Sequence, residues 1–137
     1  MKIYTSYFGN LKKLTQGGVM PINISLYPPK WFRGSSLMYL APKSFMLAKN
    51  ISEEYYTKIF NEQIIPAVSL PMLVKDIETR SQGKDVALLC YEKPGEFCHR
   101  HLVASWLNKK GYVVEEYGGM SEKPVERIEV KQASLFD

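Results

Sequence analysis

The chain has 137 residues, 45% of them apolar, and 18 Lys and Arg against 14 Asp and Glu give a formal charge of +4. That composition suits one globular domain with a real core and excludes a disordered chain, while the mild positive charge is compatible with an anionic partner. Two cysteines exclude a disulfide-rich secreted scaffold, the opening MKIYTSYFGN lacks the apolar stretch of a signal peptide, and no apolar run approaches membrane-spanning length; a cytoplasmic protein with reduced thiols and no membrane partner is expected.

Lys2 to Phe8, with Ile3, Tyr4, Thr5 and Tyr7, reads as a first strand ended by Gly9-Asn10. Leu11 to Gln16 reads as a short helix stopped by Gly17-Gly18. Val19 to Tyr27 reads as a second strand, ended by Pro28-Pro29 because proline cannot donate to the ladder. Lys30-Trp31-Phe32-Arg33 then interleaves cations with aromatics. Leu37 to Met46 is ambiguous, and Pro42 argues against one continuous element there. Ser52 is placed to cap a helix running to about Gln63, with Glu53 and Glu54 in its first turn. Ser69 is placed to cap another, with Pro71 in its first turn, Leu73, Val74 and Ile77 on its buried face, and an end near Gly83. Val86 to Leu89 has the continuous apolar character of a strand buried on both faces. Pro94-Gly95 supplies a turn, and Leu102, Val103, Trp106 and Leu107 then follow helical spacing from Cys98 to the stop at Gly111. Tyr112 to Tyr117 reads as a last strand. Residues 1–120 are expected to form a single domain and 121–137 a polar tail.

Strands separated by helices predict parallel pairing, and so an α/β Rossmann-like layered fold with a mainly parallel sheet. Ligands of such sheets gather at the carboxyl ends of the strands. Ser6 to Asn10, Tyr27 to Arg33 and Glu92 to Arg100 are expected to share that edge.

Both cysteines and both histidines lie in one block, at Cys90, Cys98, His99 and His101, with Glu92, Glu96 and Arg100 among them. Three chemistries fit residues of these types. Zinc requires four ligands, but paired spacings such as CxxC or HxxxH are absent, so no metal or other cofactor is expected. A nucleophilic Cys98 fits a helix N-terminus with Arg100 nearby, where a thiol pKa falls; His99 and Glu92 are its candidate catalytic partners. The cysteine-phosphatase spacing, however, fails from both cysteines, since six residues on stand Glu96 and Ala104. The bland alternative is a Cys98 packed under the helix. Anion recognition is the preferred reading. Arg100, His99 and the free N–H groups of the helix start are expected to hold a phosphate, with Glu92 orienting Arg100. Trp31, Phe32, Arg33 and Tyr91 are expected to contact a base. The competing structural role for Glu92 and Arg100 is an ion pair that closes the loop.

The pattern Leu89-Cys90-Tyr91-Glu92-Lys93, then Cys98-His99-Arg100 and an apolar helix, resembles the bacterial family called domain of unknown function 488. The resemblance extends to the first strand, the Tyr27-Pro28 turn and Leu40-Ala41-Pro42. It implies a compact α/β domain whose shared site includes Glu92, Cys98, His99 and Arg100, and it implies no particular activity. Family members often carry Asp-x-Arg at the end of the second strand. This chain has Asn23-Ile24-Ser25 there, which removes both charges and leaves Arg33 as a substitute cation.

The final Gln132-Ala133-Ser134-Leu135-Phe136-Asp137 is similar to the Q-x-S/D-L-F peptide with which bacterial polymerases and repair proteins dock on the replication sliding clamp. Leu135 and Phe136 supply apolar anchors, and Gln132 and Ser134 set the register. The alternative is an edge strand or plug formed by Val130 to Phe136. The expected function is a small nucleotide- or nucleic-acid-binding protein of DNA replication or repair, recruited to the sliding clamp by this peptide. The alternatives are a Cys98-dependent enzyme acting on a nucleotide or modified base, and a non-catalytic clamp-binding adaptor.

Overall fold

The computed structural model describes residues 1–93 and 95–118. Its centre is β4 (Val86–Cys90), whose five residues are all buried. β1 (Ile3–Tyr7) and β2 (Met20–Asn23) flank it, with Tyr7 opposite Cys90 and Asn23 opposite Leu89. β5 (Val114–Glu116) extends the sheet beside β1, and β3 (Ser35–Ser36) beside β2. The order is β3-β2-β4-β1-β5, and every pairing is parallel. This is the expected Rossmann-like layered architecture.

Alternation along the strands divides the core. Ile3, Ile22, Val86 and Leu88 face the larger cluster under α2 (Glu53–Ile59), α3 (Leu70–Ser81) and α4 (His99–Lys109). Ala87 and Leu89 face a smaller one with Phe8, Val19 and Leu14, the last from α1 (Leu11–Gln16). Burial on both faces explains why β4 reads as an uninterrupted apolar run.

The helix punctuation follows the expected chemistry. The Ser52 hydroxyl accepts from the Tyr55 N–H at 3.0 Å, and α2 continues through a π-turn at Phe60–Ile64. Ser69 caps α3, with Pro71 in the first turn. Cys98 is the extended N-cap of α4, so the helix proper begins at His99. Gly111, at φ 98°, provides the left-handed stop that a side chain would strain. Ser52→Ala is expected to cost about 1 kcal/mol, read from a urea transition at unchanged slope.

One expected boundary is corrected, one strand is added, and the ambiguous stretch around Pro42 is settled as two elements rather than one. The second strand ends at Asn23 rather than Tyr27. There the Asn23 side chain accepts from the Ser25 N–H at 2.8 Å and donates to the Ser25 carbonyl at 3.0 Å, which turns the chain out of the ladder. β3 was missed, because two serines carry no periodicity. Leu37 to Met46 resolves into 3-10 turns at Met38–Leu40 and Ser44–Leu47 on either side of Pro42.

No helix among the described residues is long and apolar enough to cross a membrane. Residues 119–137 lie outside the described residues, and with them the clamp-like Gln132, Ser134, Leu135 and Phe136. Pro94 lies outside them as well.

Candidate active site

The parallel order brings the carboxyl ends of β1, β2 and β4 to one edge, and a cavity opens there. Its volume is about 150 Å³, and its walls include Ser25, Tyr27, Tyr56, Cys90, Tyr91, Glu92, Cys98 and His99. Strand β4 delivers Cys90, the following loop delivers Tyr91 and Glu92, and the start of α4 delivers Cys98 and His99. The segment after β2 closes the opposite side.

Cys90 and Cys98 meet with their sulfurs in bonding contact, the pairing of a disulfide, across a Cα separation of 7.2 Å. His99 is buried beside them. Its Nε2 lies 2.7 Å from the Ile24 carbonyl oxygen. A carbonyl only accepts, so Nε2 carries the proton and Nδ1 presents a lone pair. Nδ1 lies 3.9 Å from the Cys98 sulfur. The Phe60 ring, with its centroid 5.6 Å away, holds the imidazole from another side. Burial pushes the His99 pKa down to about 4, helped by the positive charges of Arg100 and His101 and opposed by the Ile24 bond. The ring is therefore neutral at pH 7.

Arg100 is fully buried, at 0% exposure. Its Nε and Nη2 donate to the two carboxylate oxygens of Glu116, at 3.1 and 3.0 Å. Its Nη1 donates to the Glu92 carbonyl at 2.7 Å and to the Cys90 sulfur at 3.4 Å. The Thr5 hydroxyl donates to Glu116 at 2.7 Å. The carboxylate that orients Arg100 is thus Glu116, not Glu92, and this corrects the expected pairing. The parallel register explains why: Thr5 lies opposite Glu116, which delivers the carboxylate beneath the first turn of α4. Arg100 is occupied by protein groups in this geometry, and it does not line the cavity.

Of the aromatic residues expected at the site, Tyr91 lines the cavity and Trp31 and Phe32 do not. Tyr91 lines the cavity, donates its hydroxyl to the Tyr27 carbonyl, and packs on Phe8 with centroids 5.2 Å apart. Burial raises its phenol pKa. Trp31 and Phe32 pack on the same Phe8 ring, at 6.2 and 5.3 Å, and Phe32 joins Phe8 in the smaller core cluster. The structure therefore does not bring them into the cavity, and Trp31 stays 57% exposed. Arg33 donates to the Lys30 carbonyl at 2.8 Å and also stands apart from the cavity walls.

Tyr56 and Ser25 are among the wall residues that the sequence reading did not place at the site. Tyr56, from α2, packs edge-on against Phe97 at 5.2 Å, and burial and then the negative charge of Glu92 raise its phenol pKa. Ser25 is 5% exposed, and its hydroxyl has no hydrogen-bond partner among the described residues. No local pattern marks either residue. Only the packing of distant segments places them at the site.

The profile of the active subclade of DUF488-N3, termed DUF488-N3a, matches residues 15–111. The chain belongs to the domain of unknown function 488 family. The matched span contains every residue that lines the cavity, so the site of this DUF488 protein lies within the family domain. No curated protein and no solved structure matches the chain.

Proposed function

We propose that this DUF488 protein is a Cys98-dependent enzyme of DNA metabolism, acting on the base of a nucleotide or of a nucleic acid. The observation that carries this reading is the makeup of the cavity. A cavity of about 150 Å³ takes a single six-membered ring, and the Tyr27, Tyr56 and Tyr91 rings suit a planar, partly polar guest. Cys98, His99, Cys90 and Glu92 stand in the same walls, so in the reduced protein, with the Cys90–Cys98 pair opened, a base seated there meets thiol, imidazole and carboxylate groups together. The matched family profile is that of an active subclade, which agrees with an enzyme.

The same geometry favours this reading over a phosphate-gripping protein. Among the described residues, neither Lys nor Arg is in the cavity walls, and Arg100 is engaged by Glu116. A nucleotide's phosphate then lies outside the cavity, toward solvent. The C-terminal Gln132-Ala133-Ser134-Leu135-Phe136-Asp137 supports recruitment to the bacterial sliding clamp, which would deliver the enzyme to newly made DNA.

The test is a mass-spectrometric survey of free bases, nucleosides and short DNA carrying modified bases. At least one class is expected to be converted by the wild-type protein, with conversion falling to background in a folded Cys98→Ser variant. Conversion that survives in Cys98→Ser defeats the proposal, as does binding confined to inorganic phosphate and phosphate esters.

A further inference from the structure

We infer that Cys90, Cys98 and His99, in the reduced protein, form a binding site for a zinc-like divalent cation on the floor of the cavity. The donor atoms of all three residues lie within 4.8 Å of one another, and all three residues are buried. Two thiolates and an imidazole are the donor set that zinc prefers. Sequence spacing conceals the set because Cys90 ends a strand while Cys98 and His99 begin a helix. A loop closes them onto one point without any CxxC pair.

Three features of the surroundings serve a metal rather than a buried structural disulfide. The Cα atoms of Cys90 and Cys98 are 7.2 Å apart, wider than the span of about 4.4–6.8 Å usual for bridged cysteines. Two thiolates that share a tetrahedral ion stand farther apart than two bonded sulfurs, and the wider span leaves room for that separation. The imidazole is already set as a ligand: Nε2–H is tied to the Ile24 carbonyl at 2.7 Å, so the free lone pair of Nδ1 faces the sulfurs. A backbone carbonyl on the far nitrogen is the usual support of a metal-bound histidine. Arg100 donates to the Cys90 sulfur at 3.4 Å, the kind of bond that steadies an anionic sulfur. Its own charge is balanced by Glu116 at 3.0 Å, so a divalent cation need only balance the two thiolates.

Three protein ligands leave a fourth position, and the cavity that all three line lies beside it. Open three-ligand sites of this kind are catalytic, whereas structural zinc sites are closed by a fourth residue. Glu92 stands in the same walls, outside the ligand set. The inference deepens the proposed function and rests on it for the placement of the chemistry, but metal binding can be measured without any substrate.

The experiment is a Co²⁺ titration of the full chain, kept reduced and free of oxygen, followed by displacement with Zn²⁺. One Co²⁺ per chain is expected, with the sulfur-to-cobalt charge-transfer band and the strong visible bands of a tetrahedral site. Cys90→Ser and Cys98→Ser are each expected to weaken binding by about a hundredfold or more and to diminish the charge-transfer band, since second-shell losses alone cost about 10–100-fold. Glu92→Gln is expected to keep the spectrum. Should the cysteine variants fail to fold, alkylation of the wild-type thiols serves instead: Zn²⁺ is expected to protect Cys90 and Cys98 from iodoacetamide. A reduced protein that shows neither cobalt spectrum nor zinc protection overturns the inference, and so does a Cys90–Cys98 disulfide that resists a thiol reductant. Metal binding without base conversion would sink the proposed activity and leave the site standing. Base conversion unaffected by chelators in a metal-free protein would do the reverse.

Discussion

Glu116→Ala is expected to destabilise the fold by about 3–5 kcal/mol, the cost of stripping one partner from a buried ion pair. Arg100 is wholly buried and the Glu116 side chain is 8% exposed, so solvent cannot replace the lost carboxylate. Among the described residues, Arg100 would be left charged beneath α4 with only the Glu92 carbonyl and the Cys90 sulfur as acceptors. The Thr5 hydroxyl would lose its acceptor as well. Glu92→Ala is expected to leave stability unchanged, since that side chain is exposed and the bond to Arg100 runs through the backbone. Urea denaturation of the two variants decides the matter, with similar slopes required for a clean comparison. Equal losses in both, or a loss only in Glu92→Ala, would return Glu92 to the role first expected of it. Replacing Arg100 and Glu116 together by apolar residues of similar volume is expected to recover much of the stability, because it removes both desolvation costs.

Removal of Gln132 to Asp137 is expected to abolish binding to a bacterial sliding clamp while leaving the melting transition of the domain in place. Apolar anchors that fill a pocket carry most of the energy of such short peptides, each worth about 2 kcal/mol or more on truncation. Phe136→Ala alone is therefore expected to weaken binding about thirtyfold, with Leu135→Ala similar and Ser134→Ala smaller. Surface plasmon resonance on immobilised clamp reads the intact chain and all four variants in one series. Binding that persists after the deletion, or its absence from the intact chain, counts against clamp recruitment and leaves the cavity chemistry untouched. A shift in the melting transition on deletion would instead favour Val130 to Phe136 as part of the fold.

The elements that carry their own local signal were legible in the sequence. The buried run Val86 to Leu89, the caps Ser52 and Ser69, the stop at Gly111 and the helical spacing of Val103 and Leu107 all arise from interactions within a few residues. Parallel pairing followed from the alternation of strands and helices, and with it came the shared edge where Cys90, Glu92, Cys98 and His99 stand. What failed locally failed for a reason. The second strand was drawn too long because the turn at Asn23 depends on a side chain bonding its own backbone two residues on, which competes with the ladder without breaking the apolar pattern.

By itself, the sequence determined the sheet's central strand, the position of α4 and the concentration of reactive side chains between them, since each rests on short-range periodicity and punctuation. The tertiary structure alone decided how those side chains are used. Register across β1 and β5 gave Arg100 to Glu116, at a sequence separation of 16, and took it from Glu92. Packing against Phe8 held Trp31 and Phe32 out of the cavity walls, while Tyr91 touches both the Phe8 ring and the cavity. Strand end and helix start, eight residues apart in the chain, converged to set Cys90 against Cys98 and His99. Such meetings depend on strand order and on which face a residue occupies, and both are properties of the whole packed sheet rather than of any stretch of the chain.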